Sequence, residues 1–194
     1  MGKKSIEKKQ YILETAHKVF VEKGYRVVTM KDIVEACQIS RGGLYLYFDS
    51  VKEIFEEVLQ KENEEGGEDF LENIPEDASP ADMLALFLKV QKKSLLGKKK
   101  NLSVAIFEYY FANEIPKNKN ELKKQFEEGV VIAERLIASG VEAGEFYCED
   151  PKGTARNLMY VLEGLRVMAG VSGISEQMID RELLYIMQGL IIEE

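Results

Sequence analysis

The chain has 194 residues, 31% of them charged, and its formal net charge of −8 argues against a general nucleic-acid-binding protein. His17 is the only histidine, and Cys37 and Cys148 stand outside any C-x-x-C spacing, so zinc sites and histidine-based triads lose most of their usual ligands. We therefore expect no metal or cofactor. Isolated cysteines, the lack of an apolar run of membrane length and the lack of a secretory signal favour a cytoplasmic location without a membrane segment.

The charge is distributed unevenly along the chain. Residues 1–50 contain 9 Lys or Arg and 6 Asp or Glu, which gives +3, and the remainder contains 17 basic and 28 acidic residues, which gives −11. This asymmetry is typical of a protein of which only one end meets phosphate. The alternative is that the lysines of the first ten residues form a solvated arm; these are Lys3, Lys4, Lys8 and Lys9.

The first two predicted helices carry clear start and stop signals. In helix 1 the apolar residues recur at helical spacing and Gly24 ends the helix; they are Ile12, Leu13, Ala16, Val19 and Phe20. Thr29 is predicted to be the N-cap of helix 2, with Asp32 three residues later as a near capping box. The residues predicted to face the core from helix 2 are Ile33, Val34 and Ala36.

A tight turn at Ile39 and Ser40 separates helix 2 from helix 3, which Ser40 is predicted to cap. Helix 3 opens with Arg41, Gly42 and Gly43. Helix 4 is predicted to start at Ser50, since Glu53 three residues later completes a capping-box pattern. Two short helices joined by a tight turn are typical of a helix-turn-helix motif, in which the second helix enters the major groove.

The ordered motifs of residues 12–55 resemble the DNA-binding domain of the TetR/AcrR family of bacterial transcriptional regulators. They are Gly24-Tyr25, Thr29-Met30-Lys31-Asp32-Ile33 and Ser40-Arg41-Gly42-Gly43-Leu44-Tyr45-Leu46-Tyr47-Phe48. The sequence departs from the family pattern twice. Cys37 and Gln38 occupy the turn where the family usually has a glycine. Val51 stands where helix 4 usually opens with a lysine, so Lys52 is offset by one residue from the position that contacts phosphate in the family.

The resemblance and the chemistry of helix 3 predict a DNA-binding surface. The Arg41 guanidinium can pair with guanine O6 and N7, and Leu46 can contact a thymine methyl group. The resemblance implies that Tyr45 and Tyr47 contact phosphates, although either could instead pack helix 3 on helix 1. Leu44 and Phe48 are expected to face the core. The predicted DNA-binding residues are Thr29, Ser40, Arg41, Gly42, Gly43, Tyr45, Leu46, Tyr47 and Lys52.

Beyond Phe55 the pattern predicts longer helices and no strands, so the expected fold class is all-α. We expect an N-terminal three-helix DNA-binding domain over residues 1–50 and a larger helical ligand-binding and dimerisation domain over residues 51–194. Helix 4 and residues 61–78 would connect them, and Gly66-Gly67 could break helix 4 or open a linker. Later helices are predicted from Ser79-Pro80, over 102–113, over 120–143, from Asp150-Pro151 to about 169, and from Ser175 to the C-terminus.

The second domain contains candidate ligand and dimer residues. Aromatic residues and methionine suggest an apolar pocket, to which a buried Glu108, Glu114 or Glu163 would add a preference for cations; the alternative is plain core. Its predicted residues are Phe87, Phe107, Tyr110, Phe111, Met159 and Glu163. In the TetR family the last two helices form a four-helix dimer bundle, which implies the stripe residues Leu158, Leu162, Leu165, Leu184, Met187 and Ile191; the alternative is burial within one subunit.

These observations predict a homodimeric transcriptional regulator that binds double-stranded operator DNA. The hypothesis is a repressor released from a palindromic operator by a small effector that is apolar, amphipathic or cationic. An activator or an effector-independent regulator with the same DNA-binding head is the alternative. A helical enzyme is disfavoured because the sequence contains no recognisable catalytic constellation.

Overall fold

The computed structural model describes residues 3–71, 77–97, 102–116 and 120–190, with backbone alone over 63–71. Within these ranges the chain forms nine α-helices and no strand, so the predicted all-α class is confirmed. None of the described helices combines the length and the apolar character needed to cross a membrane. The helices are α1 (Lys3–Lys23), α2 (Met30–Cys37), α3 (Arg41–Tyr45), α4 (Val51–Leu71), α5 (Pro80–Leu95), α6 (Ser103–Ala112), α7 (Glu121–Glu142), α8 (Pro151–Val171) and α9 (Glu176–Gln188).

The chain divides into two compact units. The N-terminal unit comprises residues 1–68 and 99–114, and the C-terminal unit comprises residues 69–98 and 115–194. Helix α6 therefore belongs to the N-terminal unit, although in chain order it lies between α5 and α7 of the C-terminal unit. The N-terminal unit extends beyond the predicted 1–50 domain because α6 and most of α4 pack within it.

Side-chain caps fix most helix starts at the predicted residues. The Ser79 hydroxyl accepts a hydrogen bond from the Asp82 amide (3.2 Å), and the Asp82 carboxylate accepts one from the Ser79 amide, which completes a capping box. The N-caps Asn120, Asp150 and Ser175 each accept from the amide three residues on. Helix α9 ends at Gln188, earlier than predicted, and α4 continues without a break through Gly66-Gly67.

The core of the N-terminal unit forms where α1, α2, α3 and α4 meet. Ile33 and Cys37 of α2 are buried one helical turn apart, whereas Ala36 is exposed, so the prediction that Ala36 faces the core was wrong. Leu44 and Phe48 are buried as predicted. The other buried apolar residues of these helices are Ile12, Ala16, Val19, Phe20, Ile54, Phe55, Val58 and Leu59.

The core of the C-terminal unit is formed by α5, α7, α8 and α9. Gly140 of α7 lies directly against the Phe146 ring, and an added Cβ would overlap the ring. Gly140 thus allows the segment after α7 to close over the core. The buried side chains include Leu84, Phe87, Leu88, Val130, Ile137, Leu158, Met159, Leu162, Leu165, Ile179 and Leu183.

Candidate nucleic-acid interface

The turn between α2 and α3 forms without the glycine that the family usually has there. Gln38 adopts the left-handed conformation (φ 53°, ψ 40°), which an L-residue with a Cβ enters at a cost of about 1–2 kcal/mol. Its amide donates to the Glu35 carbonyl oxygen (3.2 Å), and the Ile39 amide donates to the Val34 carbonyl oxygen (3.3 Å). These bonds close α2 and direct the chain into α3.

Helix α3 presents an exposed side that holds most of the predicted base contacts. Ser40 caps the helix by accepting from the Gly43 amide (3.1 Å). Arg41 is exposed and its guanidinium lies over the Tyr45 ring, 5.5 Å from the ring centroid. Leu46, directly after the helix, is 80% exposed. An exposed arginine at the start of the helix and an apolar side chain this exposed directly after it both fit contact with base edges.

Thr29 at the start of α2 is engaged by its own cap. Its hydroxyl accepts from the Asp32 amide (3.3 Å), and its amide donates to the Asp32 carboxylate (2.8 Å), which confirms the capping box. The Thr29 amide is therefore engaged within the helix cap and is not available to a phosphate in this conformation. Its exposed side chain still lines a surface depression between α2 and α3, together with Met30, Lys31, Val34, Glu35 and Arg41.

The Asp32 carboxylate also joins α2 to α1. It accepts from the Lys23 ammonium (2.5 Å) and from the Thr29 hydroxyl. The Lys23 hydrogen bond, followed by the Thr29 bonds, lowers the pKa of Asp32 well below its usual range. The cap therefore stays ionised at neutral pH and fixes the start of α2 against the end of α1.

Tyr47 and Lys52 stand at the far end of the predicted surface. Tyr47 is half-buried, and its hydroxyl oxygen accepts from the Ser5 hydroxyl of α1 (3.5 Å). Lys52 lies 3.9 Å from Glu56 on the same helix, a weak pairing that leaves the ammonium half exposed. The predicted DNA-binding residues thus all belong to one unit and are exposed or half-buried.

Helix α6 holds the turn between α1 and α2. The Glu108 carboxylate accepts from the backbone amides of Tyr25 (2.7 Å) and Arg26 (3.0 Å). Gly24 makes the approach feasible, because its φ is +81° and an added Cβ would lie 2.5 Å from a Glu108 oxygen. Glu108 therefore positions the turn that leads into α2, and does not serve a ligand pocket as the sequence suggested.

Tyr109, the next residue, attaches α6 to α4. Its buried ring lies 5.1 Å from Tyr25 and 5.1 Å from Phe55, centroid to centroid. Its hydroxyl donates to the Glu56 carboxylate (2.6 Å), and burial, followed by this hydrogen bond, raises the pKa of Tyr109. Sequence reasoning missed the roles of Glu108 and Tyr109, since both depend on partners more than fifty residues away.

The predicted ligand-pocket residues do not belong to one unit. Phe107, Tyr110 and Phe111 are on α6 in the N-terminal unit, and Phe111 is 87% exposed. The remaining three belong to the C-terminal unit, where Phe87 and Met159 are buried in the core. The third, Glu163, is paired with Arg166.

The predicted dimer stripe of α8 faces the core of its own unit. Leu158, Leu162 and Leu165 are buried there, which contradicts their assignment to a surface between two chains. On α9, Leu184 is exposed and Met187 packs partly against the core, and Ile191 lies outside the described residues.

A different face of α8 is apolar and exposed. Tyr160, Val167 and Val171 lie within about 40° of one another around the helix, and Val171 is 79% exposed. Gly164 is on the same face, and a Cβ added there would meet no neighbouring atom within 4 Å among the described residues. Both faces of α8 are thus apolar, which is why periodicity selected the wrong one.

Comparison with known proteins gives this arrangement its family. The sequence model for the bacterial regulatory proteins of the tetR family matches residues 12–58, and the one for the tetracyclin repressor-like C-terminal domain matches residues 83–192. The chain belongs to the TetR family. It is 32% identical over 177 residues to the HTH-type transcriptional regulator YfiR of Bacillus subtilis, with 85% of each chain covered. This member of the TetR family is thus a transcriptional regulator with a DNA-binding helix-turn-helix.

Solved structures of other proteins share the fold of this TetR-family member. A putative transcriptional regulator from Saccharomonospora viridis, solved in complex with choline, superposes with a TM-score of 0.82 at 20% identity, covering 96% of this chain and 99% of that one. AibR, solved in complex with isovaleryl coenzyme A and operator DNA, gives a TM-score of 0.70 at 16% identity, covering 95% and 100%. At these identities the likeness concerns the fold alone.

Proposed function

We propose that this protein is a homodimeric repressor that leaves a palindromic operator when a small apolar or amphipathic effector binds. The observation that carries the proposal is the exposure of Arg41 at the start of α3 and of Leu46 directly after it. Tyr45, Tyr47 and Lys52 flank this side and would contact phosphates. Thr29 would contribute its side chain rather than its amide.

Specificity would come chiefly from Arg41 and Leu46. Among the described residues no carboxylate lies within 4 Å of Arg41, so the guanidinium need not break an ion pair to reach guanine. Its contact with the Tyr45 ring holds it beside the helix start. A bidentate arginine–guanine contact discriminates against a wrong base by about 1–3 kcal/mol.

Dimerisation would use the exposed face of α8 formed by Tyr160, Gly164, Val167 and Val171, with Leu184 and Tyr185 of α9. Large exposed apolar side chains in one stripe are typical of a protein interface, and Gly164 would let a second helix approach closely. Dimer formation suits the function because two helix-turn-helix units read a palindromic site that one unit would bind weakly.

The effector class is inferred from chemistry and from relatives. The apolar core of the C-terminal unit includes Phe87 and Met159, and a methionine side chain adapts to ligands of different shape. The choline and isovaleryl coenzyme A complexes of the two structural neighbours support a cationic or acyl-bearing small molecule. Phe87, Met159 and Glu163, which belong to the C-terminal unit, remain predicted contacts. Phe107 and Tyr110 lie on α6 of the N-terminal unit, and the exposure of Phe111 removes its support as a pocket residue.

Coupling between effector and DNA would pass through α4 and α6. Helix α6 is joined in the chain to α5 and α7 of the C-terminal unit, and its Glu108 and Tyr109 hold the α1–α2 turn and α4. A displacement of α6 would thus disturb the helix-turn-helix. Weakening DNA binding 100-fold requires a coupling free energy of about 2.7 kcal/mol, within the range usual for allostery.

DNA binding is tested by selecting bound sequences from a random duplex library and measuring affinity for the selected site by fluorescence anisotropy. We expect a palindromic site and loss of sequence preference in Arg41→Ala, with Lys18→Ala on the exposed surface of α1 as the control. Recovery of no preferred sequence would contradict the proposal. A footprint that overlaps a promoter would support a repressor, and one upstream of it an activator.

The dimer surface is tested by analytical ultracentrifugation of Val167→Glu. We expect this substitution to shift the protein to monomer, because a charge would be buried in an apolar interface. Val131→Glu on α7 is the matched control, since Val131 is 44% exposed and Val167 is 41% exposed. An unchanged dimer in Val167→Glu would show that another surface joins the chains.

A further inference from the structure

We propose that the start of α1 is a second part of the DNA interface, in which Lys8, with Lys4 one turn earlier, binds phosphates beside the recognition helix. The inference rests on the proposed DNA binding and extends it to a helix outside the helix-turn-helix. It follows from the register of α1 on α3 and from the ion-pairing of the lysines.

Three contacts define the orientation of α1 relative to α3. The Ser5 hydroxyl reaches Tyr47 after α3 (3.5 Å), and the Tyr11 hydroxyl donates to the Cys37 carbonyl oxygen before α3 (3.4 Å). Lys8 lies between them, and its ammonium nitrogen is 3.9 Å from where a Cβ on Gly43 would be. Residues 5 to 11 of α1 therefore run opposite to α3 and alongside it, with Lys8 next to the first turn.

The segment is an ordered helix, not a solvated arm. Helix α1 begins at Lys3, so the side chains of its first turns have fixed directions. Lys4 and Lys8 are four residues apart and lie on the same side, about 40° from each other around the axis. Glu7 lies about 100° from Lys8, so the nearest acid in sequence does not share its direction.

Lys8 and Lys4 differ from most other lysines of this unit, which form ion pairs. Lys9 bonds to Glu57 (2.7 Å) and lies over the Phe48 ring, and Lys23 bonds to Asp32. In the part of the chain that the structure describes, no carboxylate lies within 4 Å of Lys4 or Lys8, and both side chains are exposed. The Lys8 ammonium beside α3, and the Lys4 ammonium one turn earlier on α1, thus remain available for an anion.

The neighbouring hydroxyl pair suits the same ligand. The Tyr47 hydroxyl lies 3.5 Å from the Ser5 hydroxyl, and a phenol can donate one hydrogen bond while its oxygen accepts another. A phosphate oxygen accepts from a phenol and attracts an ammonium group without requiring fixed geometry. Lys8 and Tyr47 would then contact the DNA backbone that flanks the groove entered by α3.

The experiment measures DNA affinity against salt for Lys8→Gln, with a duplex of arbitrary sequence and with the selected operator. Each phosphate contact contributes about 0.9 to the slope of log affinity against log salt, so a dimer should lose about 1.8. Between 50 and 200 mM salt the advantage of the wild type over the variant should shrink about 12-fold. We expect Lys8→Arg to restore the slope and Lys4→Gln to act as Lys8→Gln does.

Lys18→Gln is the matched control, since Lys18 is an exposed lysine of the same helix about 15 Å along its axis from Lys8. A slope in Lys8→Gln equal to those of Lys18→Gln and wild type would overturn the inference, while loss of preference in Arg41→Ala would leave the proposed function standing. A reduced ratio of operator to arbitrary-sequence affinity in Lys8→Gln would overturn the phosphate assignment in favour of a base contact. No salt-dependent binding by the wild type would overturn both proposals.

Discussion

Replacement of Glu108 by alanine should release the turn between α1 and α2. The carboxylate accepts from two backbone amides, at 2.7 Å from Tyr25 and 3.0 Å from Arg26. Hydrogen bonds to a charged group contribute about 1.5–3 kcal/mol each, but Arg26 is exposed, so water can replace much of the second bond. We expect Glu108→Ala to destabilise this turn by about 2–3 kcal/mol and Glu108→Gln by about 1 kcal/mol, because a neutral acceptor is weaker.

Amide hydrogen exchange measures this effect where it arises. A loss of 2 kcal/mol should speed exchange of the Tyr25 amide about 30-fold, with a smaller change at Arg26. Local exchange is preferable to a melting curve, since a chain of two units need not unfold in one step. Glu114→Ala, an exposed acid two residues beyond α6, is the control. Equal exchange at Tyr25 in wild type and Glu108→Ala would refute the reasoning.

Three further predictions concern Gln38 after α2, Gly24 before α2 and the Asp32 side chain within it. Gln38→Gly should raise the free energy of unfolding of the N-terminal unit by about 1 kcal/mol in chemical denaturation, because glycine adopts the left-handed conformation without strain. The free energy of unfolding of Gln38→Asn should lie between those of wild type and Gln38→Gly. A lower free energy of unfolding in Gln38→Gly would contradict the strain argument. Gly24→Ala should cost about 2–4 kcal/mol in the same assay, because the new Cβ adds strain at φ +81° and displaces Glu108. The lowered pKa of Asp32 means that its ionised form stabilises the fold above about pH 5 and that this stability is lost as pH falls below about 4. In Asp32→Asn the stability difference from wild type should therefore shrink progressively as the pH falls below about 4, and a difference that is equal at pH 2 and pH 7 would argue against the linkage.

Local signals in the sequence were sufficient for the helix starts and for the exposed side chains of α3 that we propose contact DNA. The capping residues Thr29, Ser40 and Ser79 are visible within four residues of their partners, and they begin helices as predicted. The exposed positions of Arg41 and Leu46 follow from the same short motif. Such features depend on neighbours in the chain, so a single sequence contains the information.

Features that depend on rotation about a helix or on distant partners were missed. In α2 a rotation of the helix by about 100° decides whether Ala36 or Cys37 faces the core. Because both residues are small, the sequence is compatible with either orientation. In α8 both faces are apolar, so helical periodicity alone does not decide whether the face of Leu162 or the face of Val167 is buried in the core. Glu108 acts across more than eighty residues, for which no local pattern exists.

The discontinuous N-terminal unit has a consequence for synthesis on the ribosome. Residues 1–68 leave the ribosome before α6 exists, and 114 − 68 = 46 further residues must be added before the unit is complete. At about 5–20 residues per second this takes about 2–9 s, during which Tyr25 and Phe55 lack the Tyr109 ring that covers them. A nascent chain in this interval presents an aromatic surface to chaperones. A DNA-binding head cut off before α6 should aggregate more readily than the full chain.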